Sequence, residues 1–197
     1  SDVSFLVDKA HDAPNPATKD GDLHVAGRAT VVGLPMVAEL MNAKSKKPLV
    51  TLFNAREGST QPLVITGGWR LWAEHGGIDP QTQGDPVAPA TTTNPHHVFQ
   101  IHPITAVDQQ SVLDTLRGIT GFKYKVADDA FQRYESVSFH VECGVDTTTF
   151  RTKMVGFNYV DFEIGLLENP THLVEDGLSV YADIFDPIED GLIVHKR

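Results

Sequence analysis

Val98–Val107 reads V-F-Q-I-H-P-I-T-A-V, and a second patterned stretch, Leu63–His75, reads L-V-I-T-G-G-W-R-L-W-A-E-H. Apolar and polar residues alternate along much of both stretches, and a period of two is typical of a strand with one buried face. Gly67 and Gly68 interrupt the second stretch, which indicates a bulged or coiled strand. We therefore expect Val98–Val107 to close a β-barrel, with Leu63–Trp72 as its neighbour.

Three further segments complete the predicted barrel. Leu23–Val32 alternates cleanly, and Gly27 on its inward set indicates a bulge or sharp bend, as in small barrels. Pro48–Phe53 is predicted as a strand. Leu34–Met41 stays open, because its apolar spacing fits a helix while its internal proline and eight-residue length fit a bent strand equally well. With that segment counted, five strands lie in residues 23–107, which suits a partly open Greek-key barrel of the OB type.

The predicted fold class is mainly β (α+β), with an OB-like antiparallel β-barrel followed by a second antiparallel β-rich half. Residues 1–22 are interpreted as an N-terminal arm, 23–107 as the barrel and 108–197 as the second half. That half is either a degenerate repeat of the first or packs with it as one domain. It is predicted to contain one or two short helices, at Asp108–Gly118 and near Asp128–Tyr134, and strands at Phe122–Val126, Ser136–Cys143, Thr148–Val155, Tyr159–Leu166, Leu178–Phe185 and Leu192–His195.

The charge balance argues against polyanionic partners. There are 26 acidic and 16 basic residues, a formal net charge of −10, and nucleic-acid affinity comes largely from Lys and Arg on phosphates. Nucleic acid and anionic membranes are therefore disfavoured as partners. No apolar run reaches the roughly 20 residues of a membrane span. We expect a soluble chain, either cytoplasmic or exported with its signal removed, in which Cys143, on the apolar set of its strand, is an inert buried thiol.

The segment G-W-R-L-W, then a loop, then H-V-F-Q-I-H-P-I-T resembles a pattern in OB-like domains of uncharacterised bacterial proteins. That pattern runs roughly G-W-L, loop, W-E-I-H-P-[IV]-T, and the likeness covers about residues 64–107. Ile101–Thr105 agrees with it, whereas Phe99 stands for Trp and Gln100 for Glu. The resemblance implies a barrel and supplies no reaction.

The nine histidines raise the question of a metal site. His96, His97 and His102 read H-H-x4-H, but His96 and His102 would lie roughly 20 Å apart on a regular strand. No His-x-His, His-Glu-x-x-His or paired-cysteine spacing is present, so a site would need distant parts of the chain. We therefore predict no metal site and no cofactor.

The candidate binding surface lies where the two opening stretches meet the long segment Glu74–His96, since loops of that length are often functional. Its residues are Arg70, Trp72, Glu74, His75 and His102. His102, before Pro103, is either a base or ligand at the barrel rim or the residue that fixes a kink, and the second interpretation is favoured. Trp72 is a stacking platform or an end cap, with capping favoured, and Trp69 is assigned to the core.

The first functional hypothesis is a non-enzymatic module that binds a small ligand or a protein partner, with no catalytic residues. The alternative is a hydrolase-like enzyme that uses His102 or His75 with Glu74. An OB-type nucleic-acid binder is third and is disfavoured by charge.

Overall fold

The computed structural model describes residues 2–72, 75, 87–152, 157, 159–166, 172–174, 177–179, 182–185 and 192–196. The chain divides into two units, Ser1–Phe122 and Lys123–Arg197. Strands predominate and two α-helices accompany them, which confirms the mainly β prediction. Among the described residues, no helix combines the length and apolar character needed to cross a membrane.

Five strands of the first unit form a closed β-barrel. They are β1 (Asp2–Ala10), β2 (Leu23–Arg28), β3 (Pro35–Leu40), β4 (Leu63–Leu71) and β5 (Phe99–Val107). Antiparallel neighbours follow the order β3-β2-β1-β4-β5, and a parallel pairing of β3 with β5 closes the ring. The prediction that Val98–Val107 closes the barrel is therefore confirmed. A two-residue strand, β6 (Gln110–Ser111), pairs with the end of β5.

Alternate side chains of the five strands fill the barrel. Leu23 and Val25 on β2 lie opposite Leu40 and Ala38 on β3, and all four are fully buried. Each large aliphatic side chain buried in this way contributes roughly 1.5–3 kcal/mol. The same core includes Val3, Phe5, Val7, Met36, Leu63, Ile65, Ile101, Ile104 and Val107.

Glycines mark the bends that a small barrel needs, as predicted. The β4–β5 register shifts on either side of Gly67, and the β1–β2 register shifts just after Val7, which pairs with Gly27. A Cβ at Gly27 would lie 2.5 Å from Cε1 of Phe5, so only glycine lets that core ring approach the strand.

The predicted strand Pro48–Phe53 is wrong. This segment belongs to helix α1 (Lys47–Arg56), whose first turn contains Pro48. Proline is compatible with a first helical turn, and Leu49 and Phe53, four residues apart, lie on one face and join the barrel core. Helical spacing of these two side chains therefore outweighs the β propensity of Val50 and Thr51.

The fifth strand of the barrel comes instead from the segment interpreted as an arm. β1 pairs with β2 on one side and with β4 on the other, and Phe5 is fully buried. The open segment Leu34–Met41 is strand β3. The alternation over Leu23–Val32 also predicts an inward Val31, but Val31 is 78% exposed because β2 ends at Arg28 and the chain turns.

The predicted helix Asp108–Gly118 is also wrong. Asp108 has a φ of 45°, so it turns the chain after β5 instead of capping a helix. Its amide donates to the Val64 carbonyl at 2.8 Å, and its side chain accepts from the Val64 amide at 2.8 Å. The chain then forms β6 and a short 3₁₀ helix, Leu113–Thr115.

The second unit contains α2 (Ala127–Ser136), which confirms the helix predicted near Asp128–Tyr134. Its described strands form one three-stranded and three two-stranded sheets. They are β7 (Lys125–Val126), β8 (Phe139–Cys143), β9 (Thr148–Thr152), β10 (Val160–Asp161), β11 (Glu163–Leu166), β12 (His172–Val174), β13 (Gly177–Ser179), β14 (Ala182–Phe185) and β15 (Leu192–Lys196).

Two burial predictions in this unit are wrong. Cys143 lies on the β8–β9 hairpin and is exposed, because both faces of β8 are exposed. The alternation over Tyr159–Leu166 predicts that Phe162 and Ile164 face inward, but they are 40% and 54% exposed. Ala182 and Ile184 are buried, as their alternation predicts.

Candidate functional site

A layer of buried polar side chains lies on the outer face of the barrel, across β2, β3 and β5. Because neighbouring residues of a strand face opposite ways, the inward Ala38 and Ile101 leave Glu39 and His102 on the outside. His24 lies directly opposite Glu39, and the parallel pairing of Ala38 with Ile101 brings His102 beside Glu39. The closure of the barrel thus assembles this layer from three strands.

Three of these side chains form a tight cluster, which we call the carboxylate–histidine cluster: Asp22, Glu39 and His102. Nε2 of His102 lies 3.6 Å from Oδ2 of Asp22, and its Nδ1 lies 3.8 Å from Oε2 of Glu39. One ligand atom from each residue can be chosen so that all three lie within 4.8 Å of one another. The residues are 1%, 4% and 8% exposed, so the imidazole sits between two carboxylates that are shielded from water.

Two further histidines border the cluster. Nε2 of His24 lies 3.5 Å from Oε2 of Glu39, so this carboxylate has an imidazole on each side. The His11 ring stacks on His24 with centroids 5.0 Å apart and an interplanar angle of 13°. Burial and the neighbouring His24 lower the pKa of His11, which favours a neutral ring there.

Burying two carboxylates close together in this cluster costs electrostatic free energy. A buried carboxylate is costly unless a positive charge or several hydrogen-bond donors accompany it, and here two lie close together. The imidazole can balance one of them only by taking a proton, whereas a divalent cation can balance both. Such a set can therefore hold a proton or a metal ion, or exchange protons with a bound group.

A second set of contacts links Arg70 to His97, further along the same face of β5. The Arg70 guanidinium donates through Nε to Oε1 of Gln100 at 2.7 Å and lies over the Trp72 ring, 4.5 Å from its centroid. Nε2 of Gln100 donates to Nε2 of His97 at 2.8 Å. Nδ1 of His97 donates in turn to the Pro95 carbonyl at 2.6 Å. We call this chain the arginine–histidine relay.

The relay requires a neutral His97. Its Nε2 must keep a lone pair to accept from Gln100, while Nδ1 carries the proton that Pro95 accepts. The ring is fully buried, and burial lowers its pKa to about 4. His75 stacks on it with centroids 5.3 Å apart, and the His97 amide donates to the His75 carbonyl. These contacts attach the chain before β5 to the outer face of the barrel.

Trp69 is not a core residue, contrary to its assignment. It lies opposite Ile101 and therefore on the inward set, but at the end of β4, where 44% of it is exposed. Its indole stacks on Phe99 with centroids 5.4 Å apart and an interplanar angle of 28°. The pair forms a partly exposed aromatic shelf at one end of the barrel, at the end of β4 that also carries Arg70.

The structure brings together three of the five predicted site residues. Arg70, Trp72 and His75 all contact members of the relay, whereas His102 belongs to the carboxylate–histidine cluster on the same face. Glu74, and most of the segment 74–96 with it, lies outside the described residues.

Asp22, Glu39, Gln100 and His97 were missed as site residues. Glu39 could have been found from the alternation that predicts His24 to face outward, since the next strand of a hairpin presents its polar residue to the same side. Asp22 offers no such signal, because it precedes β2 in an irregular segment.

Comparison of the chain with protein-family models, with curated proteins and with solved structures finds no match.

Proposed function

We propose that the first unit is a non-enzymatic, OB-type ligand-binding module. Its strands run around the barrel in the order 1-2-3-5-4, strands 3 and 5 are parallel, and a helix lies between strands 3 and 4. Five-stranded Greek-key barrels of the OB type bind oligosaccharides or oligonucleotides on the face of strands 2 and 3 and at the loops between strands 1 and 2 and strands 4 and 5. The resemblance of residues 64–107 to bacterial OB-like domains supports the same assignment.

The proposed binding surface is the aromatic shelf of Trp69 and Phe99, and Arg70 and Trp72 follow Trp69 in the chain at the same end of the barrel. The observation that carries the proposal is the exposed Trp69 indole, which lies where β4 leads into the connection to β5. An exposed aromatic face gains stacking energy when a flat or ring-shaped ligand covers it. Arg70 is held in place by Gln100 and Trp72, so little side-chain entropy is lost when it contacts a ligand.

The ligand class that fits best is a neutral oligosaccharide. A chain of net charge −10 repels polyanions unless basic residues converge, and Arg70 is the only basic residue in the contacts that define this surface. A sugar ring can stack on an indole without bringing charge. A protein side chain could occupy the same shelf, and titration with saccharides distinguishes that case.

Intrinsic fluorescence gives a direct test, because the only two tryptophans of the chain are Trp69 and Trp72. Titration with a panel of neutral oligosaccharides is expected to give a saturable change in emission. Trp69→Ala should abolish the binding measured by calorimetry, whereas Tyr134→Phe, at an exposed ring in the second unit, should not alter it. Binding of oligonucleotides instead, with strong salt dependence, would contradict the proposed ligand class, and no saturable binding by any saccharide would contradict the proposal.

One observation favours an enzymatic alternative. His102 lies between two carboxylates, an arrangement that suits acid–base chemistry, with Asp22 or Glu39 in the role assigned to Glu74. Its burial weighs against this function, because a substrate would need access to a side chain that is 4% exposed. Turnover of ester or glycoside substrates that His102→Ala abolishes, with the fold intact by circular dichroism, would establish the alternative.

A further inference from the structure

We propose that Asp22, Glu39 and His102 form a binding site for a divalent transition-metal ion, with Zn²⁺ as the preferred ion. The site goes beyond the proposed ligand-binding function and does not depend on it, because neither Trp69 nor Arg70 takes part. It is also contrary to the prediction from the sequence that the chain has no metal site.

The charge of the two buried carboxylates favours a bound cation. Two carboxylates at 1% and 4% exposure bring up to two negative charges into a region with little water. A divalent cation cancels both charges and leaves His102 neutral, which is the form in which imidazole binds metals. A single bound proton cancels only one of the two carboxylate charges.

The ligand types indicate which metal ion the cluster would prefer. Two oxygen ligands and one imidazole nitrogen suit Zn²⁺ or Mn²⁺, whereas Ca²⁺ prefers six to eight oxygen ligands and Mg²⁺ rarely uses imidazole. Three protein ligands with room for water or a further group is the usual composition of an open zinc site. We therefore expect Zn²⁺ to bind most tightly, Mn²⁺ less tightly, and Ca²⁺ and Mg²⁺ weakly.

The distances between the ligand atoms are close to those of a zinc site. Ligand atoms around a tetrahedral zinc ion lie about 3.4 Å apart, given metal–ligand distances of about 2.0–2.2 Å. Nε2 of His102 and Oδ2 of Asp22 are already 3.6 Å apart, and the full triad spans at most 4.8 Å.

The barrel strands and neighbouring side chains hold the ligand residues in place. Glu39 and His102 lie on neighbouring strands of the closed barrel, which holds their Cα positions. Metal sites depend on outer residues that orient the ligands, and His24 stands beside Glu39 at 3.5 Å, itself stacked against His11. A surface cavity of about 590 Å³ is lined by Gly21, the residue before Asp22.

Calorimetry on the full chain, after dialysis against a chelator, tests the proposal with the metal ions alone. We expect one equivalent of Zn²⁺ per chain, a rise in the unfolding temperature of the first unit, and the order Zn²⁺, Mn²⁺, then Ca²⁺ and Mg²⁺. Asp22→Asn and Glu39→Gln keep the side-chain shapes and should each weaken Zn²⁺ affinity by about 100-fold or more. The matched control is His140→Ala, which removes an exposed histidine 3.2 Å from the Glu142 carboxylate; it should leave the affinity unchanged.

A second measurement needs no variant. Bound Mn²⁺ broadens nuclear magnetic resonance signals of nearby residues, so the amides of His24, Glu39 and His102 should broaden at substoichiometric Mn²⁺, while those of the β8–β9 hairpin stay sharp. Broadening centred on the hairpin instead would overturn the proposal. So would the absence of saturable Zn²⁺ binding to the native chain, or full affinity in both carboxamide variants.

Discussion

Glu39 and His102 lie on neighbouring parallel strands of the barrel, and Oε2 of Glu39 is 3.8 Å from Nδ1 of His102. The other ring nitrogen of His102 faces Asp22 at 3.6 Å. One imidazole therefore lies close to two buried carboxylates, and removing it should leave their mutual repulsion without a nearby compensating group.

We expect His102→Ala to destabilise the first unit by about 3 kcal/mol, because breaking a buried charge network leaves an uncompensated charge. Adding Asp22→Asn to that variant should cost less than Asp22→Asn does in the native chain, since it removes one of the two carboxylate charges that repel each other once the imidazole is gone. The expected coupling free energy is more than about 1 kcal/mol. Denaturant unfolding of chelator-treated protein, followed by tryptophan emission, measures it.

Emission reports the first unit alone, because Trp69 and Trp72 are the only tryptophans. The exposed His140→Ala variant should change stability by no more than about 0.5 kcal/mol. Strictly additive effects of the two cluster substitutions would show that Asp22 and His102 do not interact.

The stability of the first unit should depend on pH through His97. Burial lowers the pKa of this ring to about 4 from its ordinary value of 6.5, so the unfolded chain binds more protons than the folded chain between these values. The contribution is therefore fully present above about pH 6.5 and is lost as the pH falls towards 4, up to about 3 kcal/mol.

His97→Gln provides the comparison. Its unfolding free energy should be flatter between pH 6.5 and 4 than that of the native chain, as measured by denaturant titration at several pH values. His140→Ala, at an exposed ring, should retain the native slope. Equal slopes for the native chain and His97→Gln would mean that other groups cause the acid sensitivity.

The fold class and the bends of the barrel were predictable from local pattern, because alternation and glycine act over a few residues. Leu23, Val25, Leu63 and Ile65 face the core as their spacing indicates. The segment Pro48–Phe53 shows the limit of this reasoning: a short apolar run fits a strand or a helix, and packing of Leu49 and Phe53 against the barrel decides between them.

The site was less predictable, because barrel closure creates it. His102 was singled out, but its partners Glu39 and Asp22 are distant in sequence and meet it only through the parallel pairing of β3 with β5. The sequence argued against a metal site for lack of a local motif. A cluster built from three separate segments has no such motif to show.

Gly67 and Gly68, adjacent on β4, should respond very differently to alanine. A Cβ at Gly67 would lie 2.4 Å from the Pro103 carbonyl oxygen and 2.5 Å from Cγ2 of Ile101, so backbone must move. At Gly68 the nearest atom is the His102 carbonyl oxygen at 3.0 Å, which a small shift relieves. We expect Gly67→Ala to cost about 3 kcal/mol, at the upper end for overpacking, and Gly68→Ala less than about 1 kcal/mol.

Thermal unfolding of the two variants, monitored by tryptophan emission, makes the comparison within one strand. Similar losses of stability for both variants would indicate that the cost comes from the reduced backbone freedom of alanine and not from a clash of the new Cβ with β5.

The ion pair of Asp8 and Arg28 should hold residues 87–90, part of the connection between β4 and β5, against the barrel. The Asp8 side chain is 1% exposed and accepts from Nε and Nη2 of Arg28 at 2.9 Å and 2.8 Å. It also accepts from the Ala90 amide at 3.0 Å, while Nη1 of Arg28 donates to the Val87 carbonyl at 3.2 Å. Both side chains thus bind the segment 87–90 as well as each other.

Arg28→Ala should therefore cost about 3 kcal/mol, since it leaves the Asp8 carboxylate buried without its partner. It should also accelerate amide hydrogen exchange at Ala90, which mass spectrometry detects. Arg28→Lys should fall between the native chain and Arg28→Ala, because an ammonium keeps the charge without the planar fork. Lys9→Ala removes a more exposed ion pair with Glu57, which solvent screens, and should cost less than Arg28→Ala. If Arg28→Ala cost no more than Lys9→Ala and left Ala90 protected, the ion pair would not be what holds this segment on the barrel.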